Sequence, residues 1–128
     1  MNMEDSIYNP RMARIIGERE LAVGTKLFDL ELENGERLNQ SPGQFVELSI
    51  PGVGEAPISV TSSPTRGLPS FQLCVRAVGN VTNALHKKNI GETVGIRGPF
   101  GNGFPTEKLK GKDLLFIAGG LGIAPLRS

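Results

Sequence analysis

Glycine and proline divide this chain into short segments. Seventeen glycines and nine prolines are spread over 128 residues. Both residue types mark turns, and turns at intervals of about ten residues are typical of an all-β barrel or sandwich. The pattern predicts little helix and six strands, at 11–20, 25–33, 44–50, 58–62, 70–78 and 92–97. Asn34 and Gly35 also predict a hairpin after the second strand, because both tolerate positive φ.

The fifth strand has two different faces. Apolar and other residues alternate along it in the order Phe71, Gln72, Leu73, Cys74, Val75, Arg76 and Ala77. We expect the odd-numbered residues to face the core and the even-numbered ones to stay free for another role. Between Gly79 and Gly91 the spacing becomes helical, with Asn80 or Thr82 as the N-cap of a short helix that closes one end of the barrel.

The composition excludes several classes of function. Fourteen basic and thirteen acidic residues leave a net charge of +1, so there is no general electrostatic argument for binding nucleic acid or a membrane surface. The single cysteine and single histidine exclude an internal disulfide and argue against a metal site. The N-terminus has no secretory signal and no apolar run is long enough to span a membrane, so the cytoplasm is the default compartment.

The end of the chain carries a glycine-rich turn. Residues 114–118 form an apolar run that predicts a buried strand, and the turn Gly120-x-Gly122-x-x-Pro125 then begins a helix. Such a turn suits a phosphate group, because bare backbone approaches the anion and the helix start offers free N–H groups. Residues 111–113 mark the boundary before it.

Three motifs occur together: Ala56-Pro57-Ile58-Ser59, Gly79-Asn80-Val81-Thr82 and the terminal glycine turn. In order and spacing they resemble the ferredoxin–NADP reductase superfamily. The resemblance implies a six-stranded antiparallel Greek-key barrel with one short capping helix that binds FAD, at residues 1–110. It also implies that residues 111–128 are the start of a truncated α/β domain that binds NAD(P)H.

Within that superfamily the Pro-Ile-Ser variant is similar to certain electron-transfer subunits. These are the subunits that serve dihydroorotate dehydrogenase, cytoplasmic hydrogenase and anaerobic sulfite reductase. They pass electrons between NAD(P)H and a partner redox subunit, commonly through an iron–sulfur cluster held by cysteines that this chain lacks.

The first motif departs from the usual family pattern at two positions. The resemblance assigns Ser59 as the catalytic residue, because a hydroxyl beside flavin N5 both binds and tunes the ring. Ile58 stands where many relatives carry a stacking aromatic, and Ala56 stands where they carry an arginine that holds the FAD diphosphate. Arg76 is the candidate replacement for that arginine; the alternative is that it only covers the sheet edge.

The second motif is a predicted phosphate site. Gly79 permits close backbone approach, and the Thr82 hydroxyl adds a donor; the alternative is an ordinary strand-to-helix turn with a polar N-cap. Together with the ring site and the terminal turn, this gives the predicted cofactor-binding residues: Ala56, Pro57, Ile58, Ser59, Cys74, Val75, Arg76, Gly79, Val81, Thr82, Gly120, Gly122 and Pro125.

The implied function is that of an FAD-binding module of an NAD(P)H-dependent oxidoreductase. Because the rest of the hydride-donor site would lie after Ser128, we expect this chain alone to show little NAD(P)H-dependent turnover. Two alternatives stay open. The first is a flavin-free β-barrel scaffold or binding module, which the missing arginine and the missing aromatic also fit. The second is a reductase that uses FMN.

Overall fold

A computed structural model describes residues 8–128, and positions 1–7, with the polar N-terminus, lie outside the described residues. The strands are β1 (Arg11–Ala22), β2 (Thr25–Leu32), β3 (Phe45–Ile50), β4 (Gly54–Ser59), β5 (Phe71–Arg76) and β6 (Thr93–Phe100). The helices are α1 (Asn80–His86), α2 (Thr106–Leu109) and α3 (Ile123–Arg127), with a 3₁₀ turn at Gly120–Gly122. The fold is all-β, as predicted. None of the described helices is long and apolar enough to cross a membrane.

The six strands form one antiparallel sheet in the order β4-β3-β6-β1-β2-β5. The predicted hairpin at Asn34 and Gly35 is wrong. Gly35 does turn the chain, with φ of +75°, but β2 pairs with β1 and β5, so the segment after Gly35 crosses to β3 without pairing. A turn sequence specifies a reversal of the chain and leaves the pairing partner to the hydrophobic pattern.

The six antiparallel strands of the predicted barrel are present, but no continuous ladder closes the sheet. Its two edge strands, β4 and β5, meet at an isolated bridge between Val60 and Leu73. Beside it the Thr61 N–H donates to the Gln72 carbonyl at 3.0 Å. The ladder between β4 and β5 does not extend beyond this point in the described residues.

The position of β4 differs from the prediction of 58–62. The strand begins at Gly54 and ends at Ser59, with Pro57 inside it. Proline has no N–H to donate and is tolerated only on edge strands, and β4 is an edge strand. Its presence made the first half of the strand unrecognisable from local sequence.

The core lies on the inner face of the sheet. Phe71, Leu73 and Val75 are at most 1% exposed, as the alternation along β5 predicts. Val81 and Leu85 of α1 join them. Fully burying a side chain of this kind contributes roughly 1.5–3 kcal/mol to the stability of the fold. The buried face therefore fixes both the register of β5 and the position of α1 on the sheet.

The predicted buried strand at 114–118 is absent. These residues form no strand, and Leu115 and Ile117 are 86% and 84% exposed. A strand needs a neighbour to pair its backbone groups, and none of the described strands lies beside this segment. The helix predicted after the glycine-rich turn is present as α3.

Candidate functional site

The two sheet edges stop pairing after their single bridge. Ser59 and Ile58 lie on one side, and Cys74, Val75 and Arg76 lie on the other, with no ladder between them. We call this unpaired stretch of the two edges the edge gap. Edge strands present unpaired backbone groups, so the edge gap is a place where a ligand can take up hydrogen bonds that the sheet leaves unused.

Helix α1 spans the inner side of the edge gap. At one end, the Val81 side chain lies beside Gly54 of β4, where an added Cβ would come within 3.4 Å of it. At the other end, His86 Nε2 donates to the Val75 carbonyl at 2.8 Å, and the ring packs edge-on against Phe28 at 5.7 Å. The histidine, which carried no predicted role, therefore fastens α1 to β5.

The first motif divides between two faces of β4. Ala56 and Ile58 are half-buried at the margin of the core, so they offer a ring a partly covered aliphatic edge. Ser59 lies on the opposite face with Pro57. The Ser59 hydroxyl forms no hydrogen bond with a described residue, which leaves it available to a ligand on the outer side of the edge gap.

The predicted residues of β5 have three different surroundings. Val75 is buried, so its side chain faces the core and not the outer side of the gap, and its carbonyl accepts a hydrogen bond from His86. Cys74 is half-buried on the other face, where burial raises the pKa of the thiol and the nearby Arg127 opposes that shift. Arg76 is exposed, and its guanidinium has no hydrogen bond or ion pair with any described residue.

Thr82 has a structural role that corrects the predicted N-cap. Gly79 is the N-cap of α1, and Thr82 stands at the third helical position. Its hydroxyl oxygen accepts the Val78 N–H at 3.0 Å and the Gly79 N–H at 2.9 Å, and donates to the Gly79 carbonyl at 3.2 Å. The hydroxyl thus satisfies backbone groups at the helix start, in the manner of a capping box.

The surface in front of Gly79 is open. A Cβ built on Gly79 meets no atom within 4 Å, and Asn80 beside it is exposed. The first N–H groups of a helix have no partner within the helix. The Val78 and Gly79 N–H groups already bond to Thr82, so the donors left on this open surface are the following N–H groups of α1 and the guanidinium of Arg76.

The terminal turn is also accessible to a ligand. Gly120 has a φ of +56°, and neither Gly119 nor Gly120 has an atom within 4 Å of an added Cβ. Ala124 of α3 is buried and Pro125 is half-buried against the rest of the molecule. The turn therefore presents bare backbone to solvent while the helix behind it is held in place.

A separate cleft of about 280 Å³ lies between α3 and the loop that follows β4. Its lining includes Asp29, Ser62, Arg66, Gln72 and Arg127, and none of the predicted flavin residues. The contacts among these side chains connect β2, β5 and α3. Sequence reasoning missed them because their members are far apart in the chain.

The chain has clear relatives. The family model for the oxidoreductase FAD-binding domain matches residues 12–104. This chain belongs to that family.

Two proteins of Pyrococcus furiosus show the likeness in sequence. Sulfhydrogenase 2 subunit gamma is 52% identical over 124 residues, which cover 94% of this chain and 42% of the relative. A probable dihydroorotate dehydrogenase B electron transfer subunit is 41% identical, over 84% of this chain and 38% of the relative. The chain therefore spans less than half the length of these relatives.

Among solved structures, the cytochrome P450 reductase GcoB of Amycolatopsis has a similar fold. The TM-score is 0.79 and the identity 29%, over 91% of this chain and 36% of that one. The relatives confirm the resemblance drawn from the three motifs: the chain is a ferredoxin reductase-like FAD-binding module.

The capping role of Thr82 can be tested by an isosteric change. Thr82→Val keeps the shape of the side chain and removes the acceptor for two N–H groups. We expect the free energy of unfolding of the cofactor-free protein to fall by about 1 kcal/mol, measured by urea denaturation. Thr82→Ser keeps the hydroxyl and is expected to change stability by less than about 0.5 kcal/mol. A Thr82→Val protein of normal stability would refute the capping role.

Proposed function

We propose that this FAD-binding module belongs to a subunit that transfers electrons between NAD(P)H and a partner redox subunit. The relatives named above are, by their names, subunits of a sulfhydrogenase and of a dihydroorotate dehydrogenase. The higher identity to the former favours a hydrogenase-type partner. The observation that carries the proposal is the edge gap, where a free hydroxyl and a free guanidinium lie on opposite strands.

When bound, FAD supplies the redox chemistry, because its ring exchanges a hydride at N5 and passes electrons onward. The residues of this chain bind and orient it. In this proposal the Ser59 hydroxyl makes a hydrogen bond at N5, and Ile58 supplies aliphatic surface to the ring. The open backbone at Gly79 and the start of α1 receive the diphosphate.

Arg76 takes the place of the arginine that the family carries at the position of Ala56. The bridge pairs Val60 with Leu73, and continuing that antiparallel register by three residues sets Arg76 across the edge gap from Pro57. Arg76 is therefore one residue away from the level of Ala56, on the opposite strand. A cation there reaches the same part of the gap from the other side.

The glycine-rich turn is the part of this chain that we propose binds the nucleotide. Its bare backbone at Gly119 and Gly120 permits approach of a phosphate group. We place the start of the NAD(P)-binding domain at residues 111–128, and the FAD-binding domain at residues 1–110.

A prediction for the cation in the edge gap concerns FAD affinity. Arg76→Ala removes a charge-assisted hydrogen bond worth roughly 1.5–3 kcal/mol, so we expect the dissociation constant for FAD to rise about ten- to hundredfold. Titration of the cofactor-free protein with FAD, followed by flavin fluorescence, measures it. Arg76→Lys keeps the charge without the planar fork and should fall between the two.

The matched control is Arg37→Ala, which removes another exposed arginine that has no partner among the described residues. Equal FAD affinities for the Arg37 and Arg76 variants would show that Arg76 only covers the sheet edge. A wild-type protein that takes up no FAD would favour the scaffold alternative. Preferential uptake of FMN would favour the FMN alternative.

A prediction for Ser59 concerns the rate of flavin reduction. Loss of one neutral hydrogen bond costs about 0.5–1.5 kcal/mol, so Ser59→Ala is expected to slow flavin reduction by NAD(P)H up to about tenfold. FAD content should remain normal, since the diphosphate contacts are untouched. Stopped-flow bleaching of the flavin in the whole protein measures the rate, and Ser59→Thr should restore it. A normal rate in Ser59→Ala would contradict the role at N5.

Another prediction concerns residues 1–128 on their own. We expect them to bind FAD but to be reduced by NADH or NADPH at least about a hundredfold more slowly than the whole protein, because an unpositioned hydride donor loses the advantage of orientation. Dithionite, which needs no binding site, serves as the control and should bleach both flavins. Reduction of the 128-residue chain at the rate of the whole protein would refute the expectation.

A further inference from the structure

The end of α3 is fastened to the rest of the fold by Arg127 and by Ser128, the residue that follows it. Arg127 Nη1 donates to the Gln72 side-chain oxygen at 2.7 Å and to the Thr61 carbonyl at 3.2 Å. Next to it, the Ser128 hydroxyl accepts the Gly43 N–H at 3.0 Å. These contacts join the helix that follows the glycine-rich turn to β5 at Gln72, to the loop at Thr61 just after the bridge, and to the turn before β3.

Gln72 is itself held in one orientation. Its Nε2 donates to Asp29 Oδ1 at 2.7 Å, across the β2–β5 pair. Its backbone N–H donates to the Ser62 hydroxyl at 2.9 Å. Because the amide nitrogen is committed to the carboxylate, the amide oxygen points to Arg127, and both ends of the amide make charge-assisted hydrogen bonds. We call the three side chains Asp29, Gln72 and Arg127 the relay.

The relay connects the region of Ser59, the proposed flavin contact, to the glycine-rich turn, the proposed nucleotide contact. Thr61, which accepts from Arg127, follows Ser59 by two residues in the chain. Arg127 stands at the end of the same helix that Gly122 precedes. Residues 111–120 are exposed throughout, so the attachment of the turn to the sheet rests on α3 and its final residues.

We propose that Arg127, oriented by Gln72 and Asp29, is a positioning residue that fixes the glycine-rich turn relative to Ser59 and so aligns the nucleotide for hydride transfer. The proposal rests on the proposed function for its catalytic consequence. The attachment itself is independent of that function. Arg127 bonds to the even-numbered face of β5, away from the core.

The cleft offers a matched control for charge. Arg66 lines the same 280 Å³ space as Arg127 but has no hydrogen bond or ion pair with a described residue. Arg66→Ala therefore removes the same charge from the same cleft and leaves the relay intact. An effect shared by both variants would come from the charge, whereas an effect confined to Arg127 would come from the attachment.

The test uses the whole protein with FAD bound and two measurements. Hydrogen exchange of the backbone amides in residues 119–127 reports the attachment. Stopped-flow flavin reduction over a range of NADH and NADPH concentrations reports the alignment. For Arg127→Ala we expect exchange to rise at least about tenfold and the limiting reduction rate to fall at least about tenfold, since small misplacements of reacting groups cost such factors.

Other quantities should stay constant if the role is positioning. The apparent dissociation constant of the nucleotide is expected to change by less than about twofold, and FAD content not at all, because uniform binding is untouched. Gln72→Leu should reproduce the effect of Arg127→Ala, and Arg127→Lys should recover part of it. Arg66→Ala should match the wild type in both measurements.

Each contrary result would overturn a defined part of the proposal. Unchanged exchange in Arg127→Ala would refute the attachment, and raised exchange with an unchanged limiting rate would refute the positioning role. The same loss in Arg66→Ala would assign the effect to charge and overturn the proposal. If neither nucleotide reduces the wild-type flavin, the proposed function fails, and the exchange measurement alone still supports or refutes the attachment.

Discussion

The bridge between Val60 and Leu73 is the contact on which the rest of the structure depends. It brings the two edges of the sheet together at one point, and one feature of β4 stops the pairing from continuing. Pro57, which stands across from Arg76 in the same register, has no N–H to offer a ladder. The end of the pairing is therefore built into the sequence of β4.

The sequence predicted the sheet where side-chain alternation is local. The core positions Phe71, Leu73 and Val75 are the ones that the two-residue period of β5 selects, and all are buried. It predicted β4 poorly, because Pro57 interrupts a strand whose position at the sheet edge is known only after the other five strands are arranged. A segment's own residues can predict that it forms a strand. They do not predict which strands it will pair with in the sheet.

The same distinction explains the candidate site. The Gly79 turn and the terminal glycine turn were recognisable because a few adjacent residues carry the signal. The relay was not, because Asp29 and Gln72 are 43 residues apart and Gln72 and Arg127 are 55 apart. Residues 114–118 illustrate the converse: their apolar character is a property of the segment, whereas burial requires a partner that the described strands do not supply.

Placing a cation on β5 instead of β4 has a consequence for both strands. In the proposed site, Ala56 and Ile58 pack at the core margin because neither must carry charge toward a phosphate. The proposed charge is that of Arg76, on a strand whose inner face is fully buried, so its backbone is held firmly. The proposed ring contact at Ser59 and phosphate contact at Arg76 then belong to different strands that meet only at the bridge. Any change that separates Val60 from Leu73 would weaken both contacts together, although neither residue is among those proposed to touch the cofactor.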